Sequence, residues 1–274
     1  MATVSRPSRG RHGCATLAPM RSRVTALALL LSLPLAGAAR AGETACWFEN
    51  GAVIVPAVIA DMAGDYVLDL SAPRTLLHET KAQMEGVTAP ELTLSVEVAG
   101  LKVPAVSVKV ADLDARGAGF VTPIAGVIGM DVLAGHSVEI DFAHCRVRID
   151  QPWKARRQVV LPVEVIDGLP TLAAAVSDGP TALRGAFAID TASKAMTRLS
   201  TRGAAATGKL DTNARHIAPA RLRALSIAGV LAENVPATLA DDLPEGVDGT
   251  LGTALWARHR LRLSADARTL SVAP

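Results

Sequence analysis

The chain has 274 residues, 50% of them hydrophobic, with 28 Lys and Arg against 26 Asp and Glu. This balance excludes a disordered or collagen-like protein, and the length allows one large domain or two smaller ones. Residues 1–41 carry six Arg and no Asp, Glu or Lys, so the remainder has 22 positive and 26 negative residues, a net charge of −4. Because no excess of basic residues is left to neutralise phosphates, nucleic acid is not expected as a partner.

The first predicted element is a secretory signal peptide over residues 1–41. Arg21 and Arg23 precede a short apolar run, Val24–Ala39, and an Ala-x-Ala cleavage site follows at 39–41. The run is shorter than the ~20 apolar residues that a bilayer span requires. We therefore expect an exported protein, periplasmic or secreted, with no stable membrane anchor after cleavage. The sequence permits a start at Met1 or at Met20.

Two cysteines, Cys46 and Cys145, remain after removal of that segment. In an exported chain they can form a disulfide, and the alternative is a pair of buried thiols. His144 adjoins Cys145. No second Cys/His cluster has the spacing of zinc ligands, so we expect no metal site.

The sequence that follows contains one pattern twice. The stretch IAGVIGMDVL at 124–133 matches VDGTLGTALW at 247–256, at an offset of 123 residues. Upstream, VLDLSA at 67–72 matches AIDTAS at 188–193, at an offset of 121. Blocks that recur in the same order indicate a duplication. We predict an N-terminal lobe at 42–150 and a C-terminal lobe at 161–274, joined by a polar linker at 151–160.

Short segments of alternating apolar and polar residues dominate both lobes. Examples are 92–98, 103–110 and 137–149. This period of two predicts β-strands, and their close spacing is typical of a sandwich or barrel. Brief helices are expected after Ser71, after Gly129 and Gly252, and around 191–203. The fold class is therefore all-β, with two lobes in one chain.

Each copy places one Asp at the end of an apolar strand, Asp69 in the first and Asp190 in the second. A buried strand that delivers a carboxylate into a turn is costly unless the charge has partners. Two such carboxylates related by a pseudo-twofold axis would meet between the lobes and share one proton. The ionised member can take a proton from a bound water while the protonated member donates to a substrate carbonyl.

These motifs resemble the retropepsin-like and pepsin-like aspartic proteases, in the bacterial exported form with two retropepsin-sized lobes fused in one chain. The resemblance rests on Asp-x-small after an apolar strand in both halves. The later blocks Val127-Ile128-Gly129 and Thr250-Leu251-Gly252 strengthen it. It covers essentially all of residues 44–272.

The resemblance implies two pseudo-symmetric retropepsin-like β-barrel lobes in a pepsin-like bilobed architecture. It implies Asp69 and Asp190 as the catalytic residues, a peptide or unfolded protein as substrate, and no cofactor. Since both aspartates lie in one chain, it implies a monomer. By position, the segment Thr80–Leu101 is the candidate for a flap over the cleft.

The chain departs from the Asp-Thr/Ser-Gly pattern of this family in both lobes. The second motif, Asp190-Thr191-Ala192, keeps the hydroxyl, whereas the first, Asp69-Leu70-Ser71, lacks it at the second position and has no Gly at the third. Thr191, Ser71 and Ala192 are therefore the candidates for support of the dyad. Two functions stay open: an aspartic endopeptidase, or a catalytically impaired peptide-binding module that keeps the cleft.

Overall fold

The structure, a computed structural model, describes residues 42–207, 220–240, 242–266 and 268–274. The predicted signal peptide, residues 1–41, lies outside the described residues. Among the described residues, no helix has both the length and the apolar character needed to cross a membrane.

Strands make up most of both halves of the chain, and the helices are short. Residues 42–150 contain β1 (Glu43–Ala45), β2 (Trp47–Glu49), β3 (Ala52–Ile59), β4 (Met62–Leu68), β5 (Leu76–His78), α1 (Glu79–Met84), β6 (Glu91–Val98), β7 (Leu101–Ala111), α2 (Asp114–Gly117), β8 (Gly126–Ile128), α3 (Met130–Leu133), β9 (Val138–Asp141) and β10 (Arg146–Ile149). The described part of residues 151–274 contains β11 (Val159–Pro162), β12 (Glu164–Ile166), β13 (Leu169–Ser177), β14 (Ala182–Ile189), β15 (Thr197–Leu199), α4 (Thr201–Thr207), β16 (Ala220–Ile227), β17 (Val230–Leu239), β18 (Gly249–Leu251), α5 (Thr253–Trp256), β19 (Arg260–Ser264) and β20 (Thr269–Ala273).

Burial follows the sequence pattern along these strands. In β7, Val106 and Val108 are buried while Ser107 and Lys109 are exposed, as expected for a strand with one face on the core. Residues 52–55 of β3 are buried on both faces, because they alternate between a second, smaller apolar cluster and the main apolar core, whereas Pro56 is exposed.

Each lobe is a closed six-stranded barrel with one additional strand. In the first lobe the order is β3-β4-β8-β5-β7-β6, β6 pairs back with β3, and β2 extends the sheet beyond β3. In the second lobe the order is β13-β14-β18-β15-β17-β16, β16 pairs back with β13, and β12 is the additional strand. Equivalent strands occur in the same order, which confirms the predicted duplication and the two-lobed all-β fold.

A third sheet joins the lobes. Its order is β1-β10-β9-β19-β20-β11, and β9 of the first half pairs antiparallel with β19 of the second. A disulfide between Cys46 and Cys145, 99 residues apart, ties the segment between β1 and β2 to the turn between β9 and β10. The predicted disulfide is therefore confirmed, and the alternative of two buried thiols is wrong.

Two of the predicted helices follow Gly129 and Gly252 as α3 and α5, but the other two expectations are wrong in position. Residues 70–75 form turns and bends, and helix α4 begins only at Thr201. The physical reason is that the amides after each Asp bond to side chains rather than to helical carbonyls. Ser71 N–H donates to the carboxylate of Asp69, and Thr75 N–H donates to that of Asp131.

The candidate flap segment, Thr80–Leu101, ends in the tight turn of an antiparallel hairpin that β6 forms with β7. It contains α1, a short connection and β6, and β6 pairs with β7 on one side and with β3 on the other. At residues 96–98 both edges of β6 are thus used. The pairing of these residues with residues 57–59 joins the end of the segment to the barrel wall, and the role of the segment as a flap over the cleft stays a prediction.

Candidate active site

Two equivalent loops carry the predicted aspartates. Asp69 directly follows β4, and its N–H donates to the carbonyl of Ile128 at 3.0 Å. Asp190 directly follows β14, and its N–H donates to the carbonyl of Leu251 at 2.9 Å. Both carboxylates are 1% exposed. The duplication therefore delivers two carboxylates into buried positions with the same backbone geometry.

The backbone amide two residues after each aspartate binds the carboxylate of that aspartate in the same way. Ser71 N–H donates to Asp69 Oδ1 at 2.8 Å, and Ala192 N–H donates to Asp190 Oδ1 at 2.9 Å. Ser71 Oγ also donates to Asp69 Oδ1, at 2.7 Å. Alanine in place of glycine thus leaves the amide contact intact, and Ser71 brings a hydroxyl to the loop in which Leu70 has none.

One threonine connects the two loops. The hydroxyl of Thr191 accepts a hydrogen bond from Leu70 N–H at 3.1 Å and donates one to the Leu68 carbonyl at 2.7 Å. Its backbone carbonyl accepts from Val53 N–H of the first lobe at 3.0 Å. Thr191 therefore joins the two Asp loops from one side. The equivalent residue of the first loop is Leu70, which has no hydroxyl to bind the second loop. Its side chain is 1% exposed and packs in the main apolar core instead.

The second oxygen of each carboxylate has a different set of partners. Arg116 Nη1 donates to Asp69 Oδ2 at 3.2 Å. Thr250 Oγ1 donates to Asp190 Oδ2 at 3.0 Å, and Arg198 Nη1 lies 3.9 Å from the same oxygen. Each aspartate therefore has an arginine beside it, and only Asp190 has a neutral hydroxyl donor on Oδ2.

The sequence reasoning missed these three residues, although two of them left a signal. Thr250 stands at the repeat position of Val127, and Arg198, which pairs with Thr250, stands at the position of Leu76, which pairs with Val127. A polar residue where the other copy has an apolar one indicates a special role in one lobe. Arg116 lies in the connection between β7 and β8, and nothing in the sequence marks it.

The two carboxylates interact electrostatically. Burial, and then the charge of nearby Asp69, raise the pKa of Asp190 to about 6, against the opposing effects of the Ala192 amide, Arg198 and the Thr250 hydroxyl. A buried carboxylic acid beside a second carboxylate keeps its proton at higher pH because the charged form is doubly disfavoured. The arrangement can therefore hold one proton between two carboxylates in mildly acidic solution.

Close backbone packing supports the first Asp loop from behind. A Cβ on Gly129 would lie 2.9 Å from the carbonyl oxygen of Ala72, and one on Gly252 would lie 2.2 Å from a backbone oxygen in the second lobe. Gly129 N–H donates to Thr75 Oγ1, whose hydroxyl donates to Asp131 at 2.7 Å. The glycines of the two repeated blocks are thus required for this approach, and Asp131 fixes the loop rather than taking part in chemistry.

Outside the pair Asp69 and Asp190, the described chain has two features that bear on other sites. A cavity of about 690 Å³ adjoins α1 and α2, where His78, Asp114 and Gly117 are among its lining residues, and neither aspartate lines it. Across the described ranges, no three His, Cys, Asp or Glu side chains are placed to hold a metal ion.

No protein-family model matches the chain, and no curated protein matches it in sequence. Among solved structures, the chain is similar to the aspartic proteinase from Irpex lacteus, with a TM-score of 0.50 and 13% sequence identity. The match covers 85% of this chain and 96% of that chain. Identity at this level establishes the fold and nothing finer. The chain therefore has the two-lobed, pepsin-like β-barrel fold.

Proposed function

We propose that the protein is an exported aspartic endopeptidase that cleaves unfolded proteins or peptides as a monomer, without a cofactor. The observation that carries the proposal is the Thr191 hydroxyl, which binds the first Asp loop at Leu70 and Leu68. It brings two buried carboxylates into one electrostatically coupled pair. Export is supported by the apolar segment after Arg23 and by the disulfide, which is typical of oxidising compartments.

The hydrogen bonds assign different roles to the two aspartates. Asp69 accepts three hydrogen bonds, two from Ser71 and one from Arg116, and an ionised carboxylate has about four acceptor positions. One position is left for a water molecule. Asp190, with its raised pKa, carries the proton in mildly acidic solution. Asp69 is therefore the base and Asp190 the acid.

The reaction that follows balances its protons. The water oxygen attacks the carbonyl carbon of the peptide bond and gives a proton to Asp69, while Asp190 gives its proton to the carbonyl oxygen. The tetrahedral diol then breaks its C–N bond. Asp69 protonates the leaving amine, and a diol hydroxyl returns a proton to Asp190.

One observation favours a second candidate, a peptide-binding module without catalysis. The guanidinium of Arg116 contacts the carboxylate that would have to accept the proton from water. The guanidinium occupies one acceptor position of Asp69 Oδ2 and so competes with the attacking water for this carboxylate. Under this second candidate the cleft binds peptides but does not cleave them.

Cleavage of an unfolded protein by the purified chain, from about pH 3 to about pH 7, distinguishes the two candidates. We expect cleavage by the parent and a loss of about a hundredfold or more in Asp69→Asn and in Asp190→Asn. Asp61→Asn is the matched control, because Asp61 is an exposed residue in the turn between β3 and β4. Undiminished cleavage in both dyad variants contradicts the proposal, and a parent that binds peptides without cleaving them supports the second candidate.

A further inference from the structure

Arg116 reaches the dyad from outside both Asp motifs. It lies on α2, in the connection between β7 and β8, and its Nη1 donates to Asp69 Oδ2 at 3.2 Å. Its side chain is 32% exposed, whereas Asp69 is 1% exposed. One end of the guanidinium therefore contacts a buried carboxylate while part of the side chain remains accessible to solvent.

The connection that carries Arg116 is packed against the lobe. Leu113 and Ile124 are buried in the smaller apolar cluster, with Phe120 packed against it. Gly117 N–H donates to the Leu113 carbonyl at 2.7 Å. The position of Arg116 is thus held by buried side chains on both sides of α2, as a binding residue requires.

Most of the hydrogen-bonding capacity of Arg116 is unused. A guanidinium has five N–H donors, and within the described part of the chain Asp69 is the only acceptor that Arg116 contacts. Arg198 differs, because its guanidinium lies 3.9 Å from Asp190 and 3.3 Å from Asp242. Of these two arginines beside the dyad, Arg116 is therefore the one with donors available to a ligand.

The acidic residues next to Arg116 in sequence are engaged elsewhere. Asp114 Oδ1 lies 3.2 Å from His78 Nε2, and Asp112 Oδ1 accepts a hydrogen bond from Asp114 N–H at 2.8 Å. Neither contacts Arg116. In the part of the chain that the structure describes, Asp69 alone pairs with the charge of Arg116, so a second carboxylate can approach it without competing with a surface ion pair.

We propose that Arg116 binds a carboxylate of the substrate, and that the protein therefore prefers peptides with Glu or Asp next to the cleaved bond. The proposal rests on the proposed function, because it concerns the same cleft. The planar guanidinium can bind two carboxylates on different edges, Asp69 on one and the substrate on another. Since Nη1 contacts the dyad directly, the second carboxylate lies about one residue from the attacked bond.

Two synthetic peptides test the proposal. Their sequence is taken from a site that the purified full chain cleaves in an unfolded protein, and they differ only by Glu or Gln beside the cleaved bond. Near pH 5.5 we expect kcat/KM to be about tenfold higher for the Glu peptide, as for one charge-assisted hydrogen bond. The ratio should approach one below about pH 4.3, where the Glu side chain is protonated.

Variants distinguish recognition from a structural role. Arg116→Gln should bring the Glu/Gln ratio to about one, a comparison of two peptides within one variant that is independent of its absolute rate, and Arg116→Lys should retain part of the ratio because it keeps the charge. Arg157→Gln is the matched control, because Arg157 is an exposed arginine in the connection between β10 and β11, and should leave the ratio unchanged.

Equal kcat/KM for the two peptides in the parent near pH 5.5 overturns the proposal and leaves the endopeptidase proposal standing. If the parent cleaves no unfolded protein, the endopeptidase proposal fails, and calorimetric titration with two peptides of one extended sequence, which differ only by Glu or Gln at one position, decides the question of recognition. About tenfold tighter binding of the Glu peptide, lost in Arg116→Gln, supports recognition by Arg116. Equal binding of both peptides overturns it.

Discussion

At the scale of single residues, the two aspartates share one environment on Oδ1 and differ on Oδ2. Backbone amides two residues further on bind Oδ1 in both loops, because the duplicated turn has the same geometry. On Oδ2, Asp69 contacts Arg116, whereas Asp190 accepts from the Thr250 hydroxyl. Burial and the charge of Asp69, acting against the Thr250 hydroxyl, raise the pKa of Asp190, so Asp190 is the member of the pair that keeps a proton in mildly acidic solution.

The raised pKa of Asp190 predicts a specific dependence of stability on pH. Between the ordinary pKa of 3.8 and about 6, folded Asp190 keeps a proton that the unfolded chain has released. This contribution to the free energy of unfolding is present at low pH and is lost as pH rises through about 6, at about 1.4 kcal/mol per pH unit. Urea unfolding of the parent and of Asp190→Asn, which cannot ionise, should differ by this slope.

Parallel pH profiles for the two proteins between about pH 4 and pH 6 would show that Asp190 titrates normally in the folded state. Asp61→Asn, at an exposed turn, should keep the slope of the parent. The same titration predicts that peptide cleavage declines above about pH 6, because Asp190 then has no proton to donate.

The residues of the site differ in how far the sequence predicted them. Asp69, Asp190 and Thr191 were identified because a duplicated pattern marks equivalent positions in both copies. Ser71 is also a sequence candidate for support of the dyad, but the contact of its hydroxyl with Asp69 Oδ1 depends on the local turn and is not predictable from the motif. Arg116 was missed because its contact spans 47 residues and follows from packing of the β7–β8 connection, which carries no periodic signal.

At the scale of structural elements, the loops after β4 and β14 are held together from one side. Thr191 of the second loop occupies both a donor and an acceptor of the first, the N–H of Leu70 and the carbonyl of Leu68. Leu70 fills the opposite position with apolar packing instead of a hydroxyl. Among the described residues, Thr191 is thus the side chain that hydrogen-bonds directly from one Asp loop to the other.

Replacement of this hydroxyl should affect both stability and activity. Thr191→Val keeps the shape but leaves Leu70 N–H and the Leu68 carbonyl buried without a side-chain partner, so we expect a loss of about 2–4 kcal/mol in the free energy of unfolding. Peptide cleavage should fall by more than the folded fraction does, because the carboxylates are displaced. Denaturant unfolding and kcat measure the two effects.

Thr191→Ser keeps the hydroxyl and is the matched control, with stability and kcat close to those of the parent. If Thr191→Val behaves like Thr191→Ser, the hydroxyl does not fix the relation between the loops.

The motif in the sequence predicts Thr191 as a supporting residue, but the sequence does not predict which strands pair with the segment Thr80–Leu101. A strand pattern specifies a strand, and whether β6 lies over a cleft or in a barrel wall depends on its partners, β3 and β7.

At the scale of the whole molecule, two barrels and a shared sheet place one carboxylate from each half in a single site. Strands β9 and β19 pair along the seam, where buried Glu139 binds Arg148 at 2.8 Å and Arg260 of the other half at 2.7 Å. The duplication made this architecture predictable from sequence, since repeated blocks imply repeated strands. The β9–β19 pairing was not predictable from the sequence, because it joins residues far apart in the chain.

The most direct test of the central claim is a titration of peptide cleavage with a transition-state-mimicking inhibitor of aspartic proteases, at about pH 5. We predict that cleavage stops when one inhibitor is bound per chain, because a single chain supplies both Asp69 and Asp190. Cleavage that the inhibitor does not affect would contradict the dyad. One inhibitor bound for every two chains would contradict a site built within one chain.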